Sequence, residues 1–159
     1  MNGVGNNGYT VLKEKLTNQQ ITKIRKDLTV KPFVNASFGV EAVPFAIYME
    51  SKRKLYIPRY YGIKEFGYPN NFKIDKGTEI DIEFKGTLKD KQLPIVKAFV
   101  EATKDKYIGG GIISVPCGYG KTVLGLYFAS MLKLKTLVIV HKEFLMNQWK
   151  ERIEQFIPD

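Results

Sequence analysis

The residues best suited to chemistry lie in a short glycine-rich sequence, Pro-Cys-Gly-Tyr-Gly-Lys-Thr, at positions 116–122. Glycines let the backbone curl so that its N–H groups point inward, and the positive end of a following helix adds to the attraction for phosphate oxygens. Lys121 is placed to reach the β- and γ-phosphates of a nucleotide, and the Thr122 hydroxyl is placed to bind Mg²⁺. The pattern predicts a nucleotide site formed by Pro116, Cys117, Gly118, Tyr119, Gly120, Lys121 and Thr122.

A phosphate-binding turn of this kind joins a strand to a helix, and the flanking residues predict both. Apolar residues at 112–115 indicate a strand, and residues 121–132 indicate a helix. A second apolar strand at 136–140 and a second helix at 143–156 follow. Such a βαβα succession is typical of a parallel sheet. The alternative, an ordinary turn with an exposed lysine, fits this placement less well.

The turn departs from the strict G-x-x-x-x-G-K-[ST] pattern, because Val115 occupies the first glycine position. The form Pro-x-Gly-x-Gly-Lys-Thr resembles motif I of superfamily 2 helicases, whose first position is variable. The resemblance implies ATP and Mg²⁺ as cofactors, with Thr122 as the metal ligand. Cys117 and Tyr119 are interpreted as turn residues, and no catalytic residue is predicted in this sequence.

A second part of the resemblance precedes motif I. Leu-Lys-Asp-Lys-Gln at 88–92 resembles the L-R-x-Y-Q element of DNA translocases similar to the XPB subunit of the transcription and repair factor. The resemblance implies that Gln92 hydrogen-bonds the adenine edge, since a side-chain amide both donates and accepts. Lys91 occupies the position where tyrosine is usual, and an exposed glutamine on a helix is the alternative for Gln92.

A third part follows the second predicted strand. Residues 138–149 resemble motif Ia and the helix behind it, which ends in Leu-x-x-Gln-Trp. The resemblance implies that Lys142 and the helix amides near Glu143 contact the sugar-phosphate backbone of a nucleic acid strand. Leu145 and Trp149 are four residues apart and are predicted to lie in the core.

The residues ahead of motif I resemble the leader of large-DNA-virus helicases, including the poxvirus transcript-release helicase. The matching strings lie at 57–62 and 84–88. The viral proteins carry a small N-terminal α/β domain before the motor. Arg59, Tyr60 and Tyr61 either contact nucleic acid or, as is commoner for aromatic residues in a small domain, belong to the core.

The predicted fold is α/β, with a small N-terminal α+β domain followed by the first two βα units of an incomplete RecA-like P-loop parallel sheet. The predicted divisions are a loose polar tail at 1–10, an α+β accessory domain at 11–87 and the start of the helicase ATP-binding domain at 88–159, truncated after motif Ia. An unpaired sheet edge is unfavourable. The remainder of the motor, in cis or in trans, is therefore expected to complete the sheet.

Local patterns predict the elements that position these motifs. A capping box formed by Thr17 and Gln20 predicts a helix at 17–26. Another helix is predicted to begin near Asp90, which can cap it and which places Pro94 in the first turn. Its apolar face is Leu93, Val96, Val100 and Tyr107. Strands are predicted at 28–33, 43–49, 54–60 and 79–84, with turns at 50–53 and 61–62.

The composition is basic, with 25 Lys and Arg against 16 Asp and Glu and a net charge of +9. A diffuse positive field suits a polyanion such as nucleic acid, although solvated lysines are an equally good explanation. A single cysteine excludes an internal disulfide and a cysteine-built zinc site. No apolar run approaches the ~20 residues of a membrane span, so the chain is expected to be intracellular, in a cytoplasmic viral factory or virion if it is viral.

These observations predict the N-terminal part of an ATP-dependent superfamily 2 helicase or translocase that binds ATP and nucleic acid, either DNA or RNA. Hydrolysis in such motors needs a later Asp-Glu pair and arginines from a second lobe. Residues 123–159 supply neither, so ATP binding without turnover is expected. The alternatives are a non-catalytic module that binds nucleic acid or a partner and keeps a relic P-loop, and another P-loop enzyme such as a small kinase.

Overall fold

The computed structural model describes residues 2–33, 42–104 and 109–158. The chain divides into two compact units, Met1–Asp75 and Lys76–Asp159. The described part of the first unit contains a sheet and two α-helices, and that of the second contains three α-helices joined by extended segments. The chain is therefore mixed α/β, and its larger sheet includes a parallel pair of strands.

The described residues of the first unit form seven short strands. They are β1 (Gly3–Gly5), β2 (Gly8–Leu12), β3 (Thr29–Val30), β4 (Phe45–Ala46), β5 (Met49–Glu50), β6 (Lys54–Ile57) and β7 (Asn71–Phe72). The larger sheet has the order β5-β6-β2-β1-β7, and β3 pairs with β4 separately. All neighbours are antiparallel except β1 and β7.

The first residues of the chain belong to this sheet, so the loose tail predicted at 1–10 is wrong. Val4 of β1 and Tyr9 of β2 are 2% and 0% exposed. Gly8 lies between the two strands in the left-handed region, at φ +90°. The glycines and asparagines around these apolar residues obscure the alternation that would have indicated strands. Burial of one face of the sheet orders them.

The helix predicted at 17–26 is confirmed as α1 (Asn18–Asp27), together with its capping box. Thr17 Oγ1 accepts a hydrogen bond from the Gln20 N–H at 3.2 Å, and the Thr17 N–H donates to Gln20 Oε1 at 2.8 Å. The turn predicted at 50–53 is also confirmed, because β5 and β6 pair on either side of it.

The other strands of this unit are shorter than predicted. The strand predicted at 28–33 ends at Val30, just before Lys31-Pro32, and proline cannot donate to a ladder. The strand predicted at 43–49 is divided between β4 and the start of β5. Pairing with two different neighbours interrupts it.

A helix, α2 (Arg59–Phe66), replaces the end of the strand predicted at 54–60 and the turn predicted at 61–62. Pro58 precedes it with φ −52°, and proline has no N–H to offer a neighbouring strand. Gly62 faces inward from α2 and touches the ring of Tyr9. The buried core is Val4, Tyr9, Val11, Ile24, Leu28, Leu55 and Ile57.

The second unit contains α3 (Leu93–Thr103), α4 (Lys121–Leu132) and α5 (Glu143–Phe156). The helices predicted at 121–132 and 143–156 are confirmed with the same bounds. No helix within residues 2–33, 42–104 or 109–158 is both long and apolar enough to cross a membrane.

The start of α3 differs from the prediction. Pro94 does lie in its first turn, but Asp90 belongs to a preceding 3₁₀ turn, Asp90–Gln92, and Gln92 is the N-cap of the helix. Leu93, predicted on the apolar face, is 53% exposed, because the 3₁₀ turn changes the angle at which the helix begins. Tyr107 lies outside the described residues.

The strands predicted at 79–84, 112–115 and 136–140 do not form in the described part of this unit. A single bridge, between Glu79 and Leu134, joins two of the extended segments. A strand exists through hydrogen bonds to a neighbour, and an apolar sequence alone supplies no neighbour. These segments are extended without forming the predicted parallel sheet.

Replacing Gly62 with alanine is expected to destabilise the first unit. The added Cβ would lie 2.2 Å from Tyr9 Cγ, and overpacking a filled core costs roughly 1–3 kcal/mol. Gly5→Ala is the matched control, because its Cβ would find only the Lys73 carbonyl oxygen, at 3.8 Å. Chemical denaturation measures the free energy of unfolding of both variants. Equal stabilities would mean that the Tyr9 ring moves aside without cost.

Candidate nucleotide-binding site

The glycine-rich turn at 116–120 runs directly into α4. Gly118 and Gly120 have φ values of +77° and +76°, in the left-handed region that favours glycine. A Cβ on Gly118 would meet open space, whereas a Cβ on Gly120 would lie 2.7 Å from Gln92 Nε2. Backbone conformation alone therefore requires glycine at the first position, and close packing adds to the requirement at the second.

The beginning of α4 supplies hydrogen-bond donors and positive charge. A helical hydrogen bond runs from the Leu124 N–H to the Gly120 carbonyl at 2.9 Å, and the amides before Leu124 have no acceptor within the helix. Free amides and the helix dipole favour an anion at this end. Lys121 Nζ donates to the Pro116 carbonyl at 3.0 Å, which keeps its ammonium group on the turn.

Thr122, the predicted Mg²⁺ ligand, lies half-buried in the first turn of α4. Residues 2–33, 42–104 and 109–158 contain no cluster of three or more His, Cys, Asp or Glu side chains that could hold a metal. A Mg²⁺ ion here would therefore take most of its oxygen ligands from phosphate and water, as Mg²⁺ commonly does. Cys117 is an exposed free thiol.

Gln92 is joined to this turn by its side chain. It is 3% exposed, so the alternative of an exposed glutamine is wrong. Its Nε2 donates to the Tyr119 carbonyl at 2.9 Å, and its Oε1 accepts from the Lys89 N–H at 2.8 Å. The structure thus brings Gln92 to motif I, while contact with an adenine edge stays a prediction.

Lys91 contacts the same turn residue through its ring. Lys91 Nζ lies 4.3 Å from the centroid of the Tyr119 ring, within the range of a cation–π interaction. Sequence reasoning noted Lys91 only as a departure from the family pattern. No periodicity or spacing links Lys91 to Tyr119, since folding brings the two elements together.

The position of α5 is fixed by aromatic packing. Trp149 covers Gly125 of α4, where an added Cβ would lie 2.7 Å from the indole Cη2. Phe84 stacks on Phe156 at the other end of α5, with ring centroids 5.4 Å apart. Trp149 is half-buried, so its predicted core role is confirmed as helix packing and not as full burial.

The residues predicted to contact nucleic acid lie at the start of α5. Lys142 is the N-cap, and its carbonyl accepts from the N–H groups of Leu145 and Met146 at 3.1 and 3.2 Å. Lys142 and Glu143 are exposed, and Leu145 is half-buried. The Glu143 carboxylate would repel a phosphate, so attraction at this point depends on the Lys142 ammonium and the helix amides.

Arg59, Tyr60 and Tyr61 all lie on α2. The Arg59 guanidinium is 5.2 Å from the centroid of the Tyr60 ring, and Tyr60 is 47% exposed. Tyr61 packs against the core, and its hydroxyl donates to Asp27 Oδ2 at 2.8 Å. Burial and this hydrogen bond raise the pKa of Tyr61. Tyr61 is therefore a core residue, and Tyr60 lies at the surface.

Comparison with known proteins identifies the class to which this site belongs. Residues 85–159 match the family described as type III restriction enzyme, res subunit. The match includes the 3₁₀ turn, motif I, α4 and α5. The similarity to superfamily 2 helicases that the motifs indicated is thereby confirmed, and helicase relatives support a helicase-like function in general.

Individual relatives agree. A protein of Acanthamoeba polyphaga mimivirus described as an ATP-dependent RNA helicase is 34% identical over 155 residues, covering 92% of this chain and 29% of the relative. The DNA 3′-5′ translocase XPB2 of Sulfurisphaera tokodaii is 38% identical over 76 residues, covering 48% and 16%. Transcript termination protein A18 of Yaba monkey tumor virus is 31% identical over 71 residues, covering 45% and 14%. The chain spans less than a third of the length of each.

Alanine at Gly120 is expected to destabilise the second unit more than alanine at Gly118. Both substitutions force a Cβ into the left-handed region, at roughly 1–2 kcal/mol. The Gly120 variant also displaces Gln92 Nε2 from the Tyr119 carbonyl, and loss of that buried bond costs about 1–3 kcal/mol more. Urea denaturation of Gly120→Ala, with Gly118→Ala as control, measures the difference. Equal losses would contradict the close packing of Gln92 on Gly120.

Proposed function

We propose that the chain is the N-terminal part of an ATP-dependent superfamily 2 helicase or translocase, and that it binds ATP through motif I and nucleic acid beside α5. The observation that carries the proposal is the turn at 116–120. It combines two left-handed glycines, the free amides of α4 and a lysine held on the turn. Each of these features attracts phosphate, and their combination is typical of a P-loop.

The residues of the turn fit a nucleotide with Mg²⁺. The backbone amides at 117–120 and the start of α4 would hold the phosphates, Lys121 would neutralise the terminal charge, and the Thr122 hydroxyl would bind the metal. The open space beside Gly118 leaves room for a ligand at the backbone. Bound ATP supplies a phosphoryl group for transfer to water, which drives movement in motors of this class.

Hydrolysis needs groups besides those of motif I. Residues 123–159 contain no Asp-Glu pair, and the proposal therefore assigns ATP binding to this chain and turnover to a motor completed in cis or in trans. The exposed apolar residues Ile112, Leu137 and Ile139, at 97%, 82% and 85%, support this division. We propose that their segments are strands of a RecA-like sheet whose neighbours come from the rest of the motor.

The domain divisions predicted from the sequence carry over in part. We propose an accessory domain ahead of residue 88 and the start of the ATP-binding domain after it, with the first strands included in the accessory domain. We also propose an intracellular location, in a cytoplasmic viral factory or virion if the chain is viral. These proposals rest on the resemblance to viral helicases.

Lys121→Ala is expected to weaken binding of Mg²⁺·ATP at least tenfold, which corresponds to about 1.4 kcal/mol, because it removes the cation on the turn. Lys97→Ala, at an exposed position on α3, is the matched control and should bind ATP like the original chain. Isothermal titration calorimetry measures both affinities. Single-strand binding that persists while ATP binds neither the original chain nor the variants would favour the module with a relic P-loop.

Lys142→Ala is expected to weaken binding to single-stranded oligonucleotides and to reduce the slope of log K against log salt by about one. Loss of one phosphate contact releases one counterion fewer. Fluorescence anisotropy at several salt concentrations, with DNA and RNA of the same sequence, measures the slope. Lys97→Ala is again the control. An unchanged slope in Lys142→Ala would remove this residue from the nucleic acid interface.

A further inference from the structure

The 3₁₀ turn Asp90–Gln92 contacts motif I in two places, both at Tyr119. Gln92 holds the backbone of Tyr119 by a 2.9 Å hydrogen bond, and Lys91 lies over its ring at 4.3 Å. Tyr119 is flanked by the two left-handed glycines of the turn. The residue at the middle of the phosphate-binding turn is therefore fixed from outside the turn.

The amide of Gln92 is fully committed to the protein. Its oxygen faces a donor, the Lys89 N–H, and its nitrogen faces an acceptor, the Tyr119 carbonyl. These partners determine the orientation of the amide, because a flipped amide would oppose donor to donor and acceptor to acceptor. At 3% exposure, the side chain offers neither group to a ligand unless it leaves both partners.

We propose, on the basis of the nucleotide site proposed above, that the 3₁₀ turn Asp90–Gln92 positions motif I and does not recognise the base. Gln92 and Lys91 are positioning residues that hold the backbone and the ring of Tyr119, and the site binds nucleoside triphosphates chiefly through their phosphates. Purine triphosphates with different hydrogen-bonding edges, such as ATP and GTP, are bound with similar affinity.

The lysine at position 91 fits this role. A tyrosine there could stack on a base, whereas an ammonium group over the Tyr119 ring cannot do so while it stays in contact with that ring. A cation–π contact also holds Tyr119 without occupying space on the ligand side. The pair replaces base recognition by a fixed turn, and the two residues depend on each other.

The first test compares nucleotides. Titration calorimetry of the full chain with Mg²⁺·ATP, Mg²⁺·GTP and Mg²⁺·tripolyphosphate is expected to give ATP and GTP affinities within about threefold of each other. Gln92→Ala should weaken both to the same degree, because the turn loosens. An ATP preference of tenfold or more that disappears in Gln92→Ala would overturn the inference and leave the proposed function standing.

The second test isolates the Lys91 and Tyr119 pair in the absence of nucleotide. Hydrogen exchange of the amides at 116–122 is expected to be about two- to fivefold faster in Lys91→Met and in Tyr119→Leu, the range for loss of one cation–π contact. The double variant should be no faster than either single variant. Lys91→Arg and Tyr119→Phe, which keep the charge and the ring, should restore slow exchange.

The two tests separate the possible failures. Unchanged exchange in Lys91→Met and Tyr119→Leu would overturn the positioning role, whatever the nucleotide affinities are. Failure of the original chain to bind ATP, GTP and tripolyphosphate would overturn the proposed function and its phosphate-dominated site. Slower exchange in the original chain than in Lys91→Met would in that case still support the clamp on Tyr119.

Discussion

The hydrogen bond from Gln92 to the Tyr119 carbonyl connects the start of α3 with the start of α4. Because Gln92 is buried, its amide must find partners inside the protein, and an unpaired amide there would cost about 1–3 kcal/mol. That requirement fixes the 3₁₀ turn against the glycine-rich turn. Gly120 allows the approach, since any Cβ would lie within 2.7 Å of the amide.

Glycine has the same function at other close contacts of this chain. Gly62 lies against the ring of Tyr9 in the first unit, and Gly125 lies against the indole of Trp149 in the second. In each case a large side chain covers a helix position that has no Cβ, so ring and backbone meet directly. A small protein gains buried apolar surface in this way, and it loses tolerance to even a methyl group at these sites.

The comparison with helicases depends on which properties follow from motif I and which follow from its surroundings. The glycine conformations, the lysine on the turn and the free amides at the start of α4 would attract phosphate in any P-loop protein. Lys91, Tyr119 and the buried amide of Gln92 are particular to the surroundings in this chain. Phosphate affinity and base preference therefore have different physical sources, and substitutions can separate them.

The amino-acid sequence determined the local features. It predicted α1 with its capping box, the bounds of α4 and α5, the turn at 50–53 and the glycine-rich turn itself. These features follow from contacts between residues close in the chain, which periodicity and capping patterns record.

Tertiary structure decided what depends on partners far apart in the chain. The sequence assigned the first ten residues to a tail, yet burial against the core orders β1 and β2. It predicted strands at 112–115 and 136–140, yet strands need neighbours and these segments have none among the described residues of their unit. It linked Gln92 to a base, whereas folding gave both ends of the amide to the backbone. Hydrogen bonds and burial across long separations leave no periodic trace in a sequence, so only the folded chain reveals them.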